Sequence, residues 1–129
     1  MSYQAVILTV SDSCAAGTRT DTSGPAIRAM LENAGFAVQA MQTVPDEEGQ
    51  ISAAIVHACD ILQADLVVTT GGTGLSPCDV TPEATLAVLD REIRAIPVAM
   101  WVEGLKSTPR AMLSRAVAGA RGAYACAER

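Results

Sequence analysis

The strongest constraint on how this 129-residue chain folds is the run from Asp65 to Glu83. Leu66 to Thr70 (LVVTT) is short, apolar and β-branched, the composition of a strand buried on both faces. It passes directly into Gly71-Gly72-Thr73-Gly74, where glycines remove the Cβ atoms that would hold a ligand away from the backbone. Ser76-Pro77 marks a second turn, and Thr81-Pro82-Glu83 opens a helix. Thr81 suits the N-cap, Pro82 the first helical position, and Glu83 the positive end of the helix dipole. Strand, glycine loop and helix start in this order build an anion site at the carboxyl edge of an α/β sheet. A tight connection that needs glycine only for its geometry is the competing reading. The loop has neither the Gly-Lys-Ser/Thr of a P-loop nor the spacing GxGxxG.

Elsewhere in the chain, apolar runs alternate with helical periodicity. Ala5 to Val10 (AVILTV) reads as a central strand ending in Ser11-Asp12. A helix capped by Thr22 or Ser23 carries Ile27, Met30, Leu31 and Ala34 at helical spacing and stops at Gly35. Phe36 to Val44 is a strand of mixed polarity, expected nearer an edge. Pro45-Asp46-Glu47-Glu48 opens a helix with Asp46 placed as N-cap and Ile51, Ala54, Ile55, Ala58 and Leu62 as its buried stripe. After the glycine loop come a helix from Pro82 to about Asp90, a helix over Ile96 to Leu105, a short helix from Thr108-Pro109, and a weak strand or hairpin over Val117 to Cys126. The alternation predicts a three-layer α/β fold, a mostly parallel sheet with helices on both faces, formed by a single domain over residues 1–129.

Charge and composition exclude several function classes. The net charge is −5 with no Lys/Arg cluster, so no nucleic-acid surface is expected. No apolar run is long enough to span a bilayer and no basic leader precedes one, which gives the expectation of no membrane contact and a cytoplasmic location. Cysteines 14, 59, 78 and 126 form no CxxC, and the one histidine, His57, has no partner at helical spacing. Neither a zinc site nor a Ser-His-Asp triad is supported. Cys59 reads as a small core residue and Cys78 as an exposed thiol.

The chemistry therefore gathers at the carboxyl ends of the strands. Three loops meet there: Ser11-Asp12, Pro45-Asp46-Glu47, and Gly71 to Asp79. They offer the amides of Gly71, Gly72 and Gly74, the hydroxyls of Thr70, Thr73 and Ser76, and the acids Asp12, Asp46 and Asp79. Acids beside an amide-lined anion pocket are consistent when Mg²⁺ bridges them to phosphate oxygens, because the ion cancels the repulsion between like charges. The residues alone thus point to a Mg²⁺-dependent site for a nucleotide or a phosphorylated metabolite.

TTGGTG followed by DVTPEAT (Thr69 to Thr85) resembles the molybdopterin adenylyltransferase family of molybdenum-cofactor biosynthesis, the MogA/MoaB-like proteins and the G domain of gephyrin. LTVSD (Leu8 to Asp12), TDTSGPAI (Thr20 to Ile27), VPDE (Val44 to Glu47) and TPRAMLSRAVAG (Thr108 to Gly119) extend the resemblance from about Ala5 to Gly122. It implies the molybdenum-cofactor-binding-like fold, a homotrimer, and reaction of ATP as co-substrate with molybdopterin to give adenylylated molybdopterin and pyrophosphate. It also implies two catalytic, metal-holding aspartates, Asp46 and Asp79, with Mg²⁺. Ser11, Asp12, Thr70, Gly71, Gly72, Thr73, Gly74 and Ser114 match the positions that the resemblance implies for substrate or nucleotide binding, and Ser76 joins them through its place in the loop.

The chain departs from that pattern at Cys78, where the family has arginine before the second aspartate, and at Arg94-Ala95, where Pro-Gly is frequent. It stops at AYACAER, where the family continues with a strand, a Leu-Pro-Gly-Ser-Pro loop and a helix, so that C-terminal unit is expected to be missing. A non-catalytic pterin- or nucleotide-binding trimer of the same fold is the alternative expectation. A related domain acting on another nucleotide, like those fused in competence-damage proteins, is a third.

Overall fold

The computed structural model describes residues 3–12, 17 and 20–122. Its sheet has three parallel strands in the order β2-β1-β3, with β1 at Gln4–Val10, β2 at Ala37–Val44 and β3 at Leu66–Thr70. The central place of β1 follows from its sequence: Ala5 to Val10 are all buried, and Val6, Ile7 and Leu8 are sealed from solvent. β2 lies at one edge, as its mixed polarity predicts.

Side chains alternate across a strand, so β1 serves two layers. Val6, Leu8 and Val10 pack with Val44 and with Ile51, Ala54, Ile55 and Ala58 of α2 (Glu48–Val56) and the π turn His57–Ile61 that continues it. Ala84 of α3 (Thr81–Leu86) closes this core, and Leu62 and Cys59 pack against it. Burial pushes the Cys59 thiol above its ordinary pKa, and Asp60 beside it adds to the rise. On the opposite face lies α1 (Ser23–Asn33), where a Cβ on Gly24 would overlap the Asp21 carboxylate and crowd Thr9 and Met41. Two strands run the chain back out antiparallel, β4 at Arg91–Glu92 and β5 at Gly119–Ala120. Between them come α4 (Ala95–Leu105) and a 3₁₀ turn at Pro109–Leu113 capped by the Thr108 hydroxyl. Arg121 ties β5 back to the core, with two bonds to the Asp60 carboxylate (2.9 and 3.3 Å) and one to the Val88 carbonyl (2.8 Å).

Several expectations need correction. β3 is half-buried along its whole length rather than buried on both faces, because it is the other edge of the sheet and pairs only with β1 among the described residues. α3 ends at Leu86 rather than near Asp90, since Asp90 is drawn into the ribbon by its bond to the Ala120 carbonyl (2.9 Å). Met30 of α1 is exposed, and only Gly24 of that helix is buried. Ile96, Val98, Met100, Val102 and Leu105 leave α4 largely uncovered. Of the strand expected over residues 117–126, the structure forms Gly119–Ala120, and residues 123–126 lie outside the described residues.

Candidate functional site

β1, β2 and β3 all point their carboxyl ends to one side, and the loops that follow them meet there. The first two are fastened to each other. The Asp46 amide donates to Asp12 Oδ1 at 2.7 Å, and the Asp12 amide donates to Asp46 Oδ2 at 3.1 Å, while the Ser11 amide reaches the Val44 carbonyl at 2.9 Å. This exchange displaces Asp46 from the role the sequence suggests. The α2 N-cap is Glu47, whose carboxylate accepts from the Gly49 and Gln50 amides (3.2 and 2.7 Å). Asp46 is left to face the glycine loop.

That loop begins with a backbone that favours glycine. Gly71 and Gly72 take φ of +99° and +69°, and a Cβ on Gly71 would overlap the Val10 carbonyl. A Cβ on Gly72 would overlap Thr81 Oγ1 and stand 3.3 Å from Asp46 Oδ1; one on Gly74 would stand 2.8 Å from Asp79 Oδ2. The two aspartates therefore flank the loop, one at Gly72 and one at Gly74. Thr81 is the first residue of α3 rather than its N-cap, which is Val80. Its hydroxyl donates to the Gly71 carbonyl (2.9 Å) and its amide to the Gly72 carbonyl (3.1 Å), so it buttresses the loop from behind. Asp79 closes the far side as a turn: its carboxylate accepts from the Ser76 amide (3.1 Å) and its own amide donates to the Ser76 carbonyl (2.9 Å). Cys78 is exposed, and its amide donates to the Ser76 hydroxyl at 3.2 Å.

Beside the loop, an open cleft of about 190 Å³ is lined by Thr9, Val10, Ser11, Thr70 and Gly71 together with residues 20–23. Sequence reasoning matched Thr20 to Ile27 to the family motif without assigning it a residue, and so missed Asp21. Its carboxylate accepts from the Thr9 hydroxyl (2.8 Å) and from the Gly24 amide (3.0 Å), so it fixes the cleft wall and starts α1 in place of a Thr22 side-chain cap. An acid three residues ahead of a helical glycine was the available signal. A larger hollow, about 370 Å³, lies at the β2 edge between Gln42, Val44, Gln50, Ala53, Ala54 and His57, and contains none of the acids or loop glycines.

Arg115 is the second residue missed. It follows Ser114, whose hydroxyl accepts from the Ala116 amide (3.3 Å). The Arg115 amide donates to the Thr73 carbonyl (2.8 Å), Nε to the Gly74 carbonyl (2.8 Å), Nη2 to the Asp79 carbonyl (2.6 Å), and Nη1 to Glu83 Oε2 (2.6 Å). The side-chain hydrogen bond from Arg115 holds the Glu83 carboxyl below the usual glutamate value, and the same bond raises Arg115.

Among the described residues no group of three or more His, Cys, Asp or Glu comes together as a metal site, so the acids at positions 12, 46 and 79 are not a three-carboxylate cage. Asp12 is engaged with the Asp46 amide. Asp46 and Asp79 on either side of a glycine-rich cradle do suit a Mg²⁺ that keeps most of its water and takes its other ligands from substrate phosphates. No helix among the described residues is long and apolar enough to cross a membrane.

Known proteins share this architecture. A family model described as a probable molybdopterin binding domain matches residues 6–126. The chain is 38% identical over 119 residues to the molybdopterin adenylyltransferase of Helicobacter pylori (strain J99), covering 89% of this chain and 66% of that protein. It is 37% identical over 113 residues to the molybdopterin adenylyltransferase of Escherichia coli, covering 86% of this chain and 58% of that one. It spans only a fifth (20%) of the molybdenum cofactor synthesis protein cinnamon of Drosophila melanogaster, at 37% identity over 117 residues and 90% of this chain. Thus the chain covers about two thirds or less of the curated relatives' lengths. Among solved structures, the molybdopterin biosynthesis enzyme MoaB of Thermus thermophilus superposes with a TM-score of 0.87 at 47% identity, covering 93% of this chain and 76% of that one. A molybdopterin biosynthesis protein of Mycobacterium abscessus gives 0.88 at 42% identity, covering 93% and 75%.

Proposed function

This chain belongs to the family of probable molybdopterin binding domains, whose relatives named above are proteins of molybdenum cofactor biosynthesis, and from that premise we propose that it adenylylates molybdopterin with ATP. The observation that carries the proposal is the position of Asp46 and Asp79 on either side of a loop whose Gly71 and Gly72 leave no room for a side chain.

Adenylyl transfer asks little covalent help of a protein. The phosphate of molybdopterin is already an anionic nucleophile; its oxygen forms the new bond to the α-phosphorus of ATP as the bond to the β-phosphate oxygen breaks and pyrophosphate leaves. What remains is alignment and charge. The amides of Gly71 to Gly74 are the proposed donors to phosphate oxygens, with Thr70 and Thr73 beside them. The cleft at Ser11 and Thr70 supplies the adjoining space. Mg²⁺, held by Asp46 and Asp79, would neutralise charge on the leaving pyrophosphate. Asp12 keeps Asp46 in register through their reciprocal bonds, and Thr81 keeps the loop from collapsing towards α3. Ser76 and Ser114 border the same loop and are the remaining proposed substrate contacts. A cytoplasmic homotrimer belongs to the same proposal, and the exposed apolar side chains of α4 offer surface for such assembly.

The exposed Cys78, standing where the family has arginine, favours a second reading, a binding protein without turnover. One assay separates them: purified protein with molybdopterin and ATP, with and without Mg²⁺, scored for adenylylated pterin and pyrophosphate. Metal-dependent product is the expected result. Binding of both ligands by a folded protein without product would overturn the enzyme and leave the binder.

A further inference from the structure

We propose that Arg115 is a positioning residue that aims the amides of the glycine loop at an anionic ligand; the proposal rests on the loop being the phosphate site. A trans peptide is planar, so its C=O and N–H point in opposite directions. Arg115 captures the carbonyls of Thr73 and Gly74, through its own amide and through Nε, both at 2.8 Å. The N–H groups sharing those peptide planes belong to Gly74 and Leu75, and they are turned away from Arg115. A third carbonyl, that of Asp79, is held by Nη2 at 2.6 Å, which pins the far end of the loop.

The guanidinium is itself fixed. Glu83 in the first turn of α3 takes Nη1 at 2.6 Å and Nη2 at 3.4 Å, a paired contact on one edge of the fork, while Nε and Nη2 serve the loop. No other side chain combines five donors in one rigid plane. Lysine has charge and length but a single nitrogen, so it cannot hold two loop carbonyls and a carboxylate in this arrangement. A surface ion pair alone would add little. Here the Glu83 contact orients the fork, and the bonds to the loop act on backbone groups at the candidate site. Arg115 reaches across 41 residues of chain to do so. It touches no substrate; it acts through the loop.

The decisive experiment uses the full chain and its Arg115→Lys variant, with Glu83→Gln as a milder second variant that frees the fork without removing it. Amide hydrogen exchange is followed over residues 72–80, with 4–10 of β1 as an internal control. Affinity for inorganic pyrophosphate with Mg²⁺ is measured by calorimetry, and ATP turnover separately. Arg115→Lys is expected to raise exchange over 72–80 by about tenfold or more and weaken pyrophosphate binding by about tenfold, with β1 protection kept. Glu83→Gln should move both in the same direction by less. Unchanged exchange in folded Arg115→Lys would overturn the proposal. So would raised exchange with unchanged pyrophosphate affinity, since the residue would then be merely structural, and so would absence of pyrophosphate binding by the wild type. If adenylyl transfer is absent but the pyrophosphate and exchange effects appear, the enzymatic reading fails and the positioning role stands.

Discussion

Gly74→Ala distinguishes a loop shaped for its ligand from one shaped only for its own turn. Its φ lies outside the left-handed region, and the only close neighbour of an added methyl is Asp79 Oδ2, at 2.8 Å. An ordinary contact begins at about 3.4 Å, so the carboxylate must retreat by about 0.6 Å and its 3.1 Å bond from the Ser76 amide must rearrange. The fold has little at stake, and alanine also restricts the unfolded chain, so stability should stay within about 1 kcal/mol of wild type. Catalysis has more at stake. At roughly 10²-fold per ångström of misplacement, a 0.6 Å shift predicts a loss of about 10–30-fold in kcat/KM, or ~1.4–2 kcal/mol. Gly71→Ala is the contrasting control. Its φ of +99° and the overlap with the Val10 carbonyl add strain to overpacking. Those costs total about 2–6 kcal/mol, a large share of a domain's usual stability. Thermal melting and adenylyl-transfer kinetics on both variants test the argument. A Gly74→Ala protein with wild-type melting and wild-type kcat/KM would refute it, because Asp79 would then have no need of its observed position.

Asp46→Asn should leave the melting temperature nearly unchanged, because Glu47 caps α2 and an amide oxygen can still accept from Asp12, yet turnover should fall by at least about 10–100-fold, the range seen for partners one shell further from a metal. Equal turnover in Asp46→Asn would dismiss the metal role. Asp12→Ala strips the Asp46 amide of its acceptor, whereas Asp12→Asn keeps one; activity retained by Asn and lost by Ala marks Asp12 as a support for Asp46, and equal losses in both would mark its charge as the part that matters. Glu83 titrates below its ordinary value, so its pair with Arg115 contributes fully above pH ~4.3 and is lost as pH falls through the folded value. The melting-temperature gap between wild type and Glu83→Gln should accordingly be constant above the ordinary glutamate value and narrow as the solution is made more acidic than that; a gap that widens in acid would contradict the sign.

The sheet and the glycine loop were legible in the sequence because each rests on a local signal. Ala5 to Val10 is apolar without interruption and became the buried centre, and the β-branched run into Gly71 did become a strand ending in a loop. What sequence missed depends on pairs distant along the chain. Asp46 read as a cap because aspartate after Val-Pro at a helix start usually is one. Nothing local reveals that Asp12, 34 residues earlier, claims its amide and so passes the cap to Glu47. Thr81 has the composition of a cap for the same reason, but its hydroxyl is taken by Gly71 ten residues back. Arg115 carried no local signal at all. Its importance lies in three loop carbonyls and a carboxylate supplied by residues 73–83.

The charge around the loop leads to one further prediction. Among the described residues Arg115 is the cation hydrogen-bonded to the glycine loop, but Glu83 already balances it, and Asp46 and Asp79 add negative charge on either side. On the proposed reading an anionic ligand gains from a neutralising charge brought from solution, so Mg²⁺ is expected to aid binding as well as chemistry. Cys78 sits beside Asp79 and is exposed, so Cys78→Arg would add a fixed cation without disturbing a packed side chain. At such an exposed position one added charge contributes about 1 kcal/mol, so KM for ATP should fall about fivefold at low salt. The gain should shrink as ionic strength rises, because mobile ions screen an exposed charge more strongly as the Debye length shortens. The Mg²⁺ concentration giving half-maximal binding of pyrophosphate should fall with it. Kinetics at two salt concentrations decide the matter. A KM that does not move, or a gain that is the same in high salt, would show that the loop is not short of positive charge, and the dependence on Mg²⁺ would then need a purely catalytic explanation.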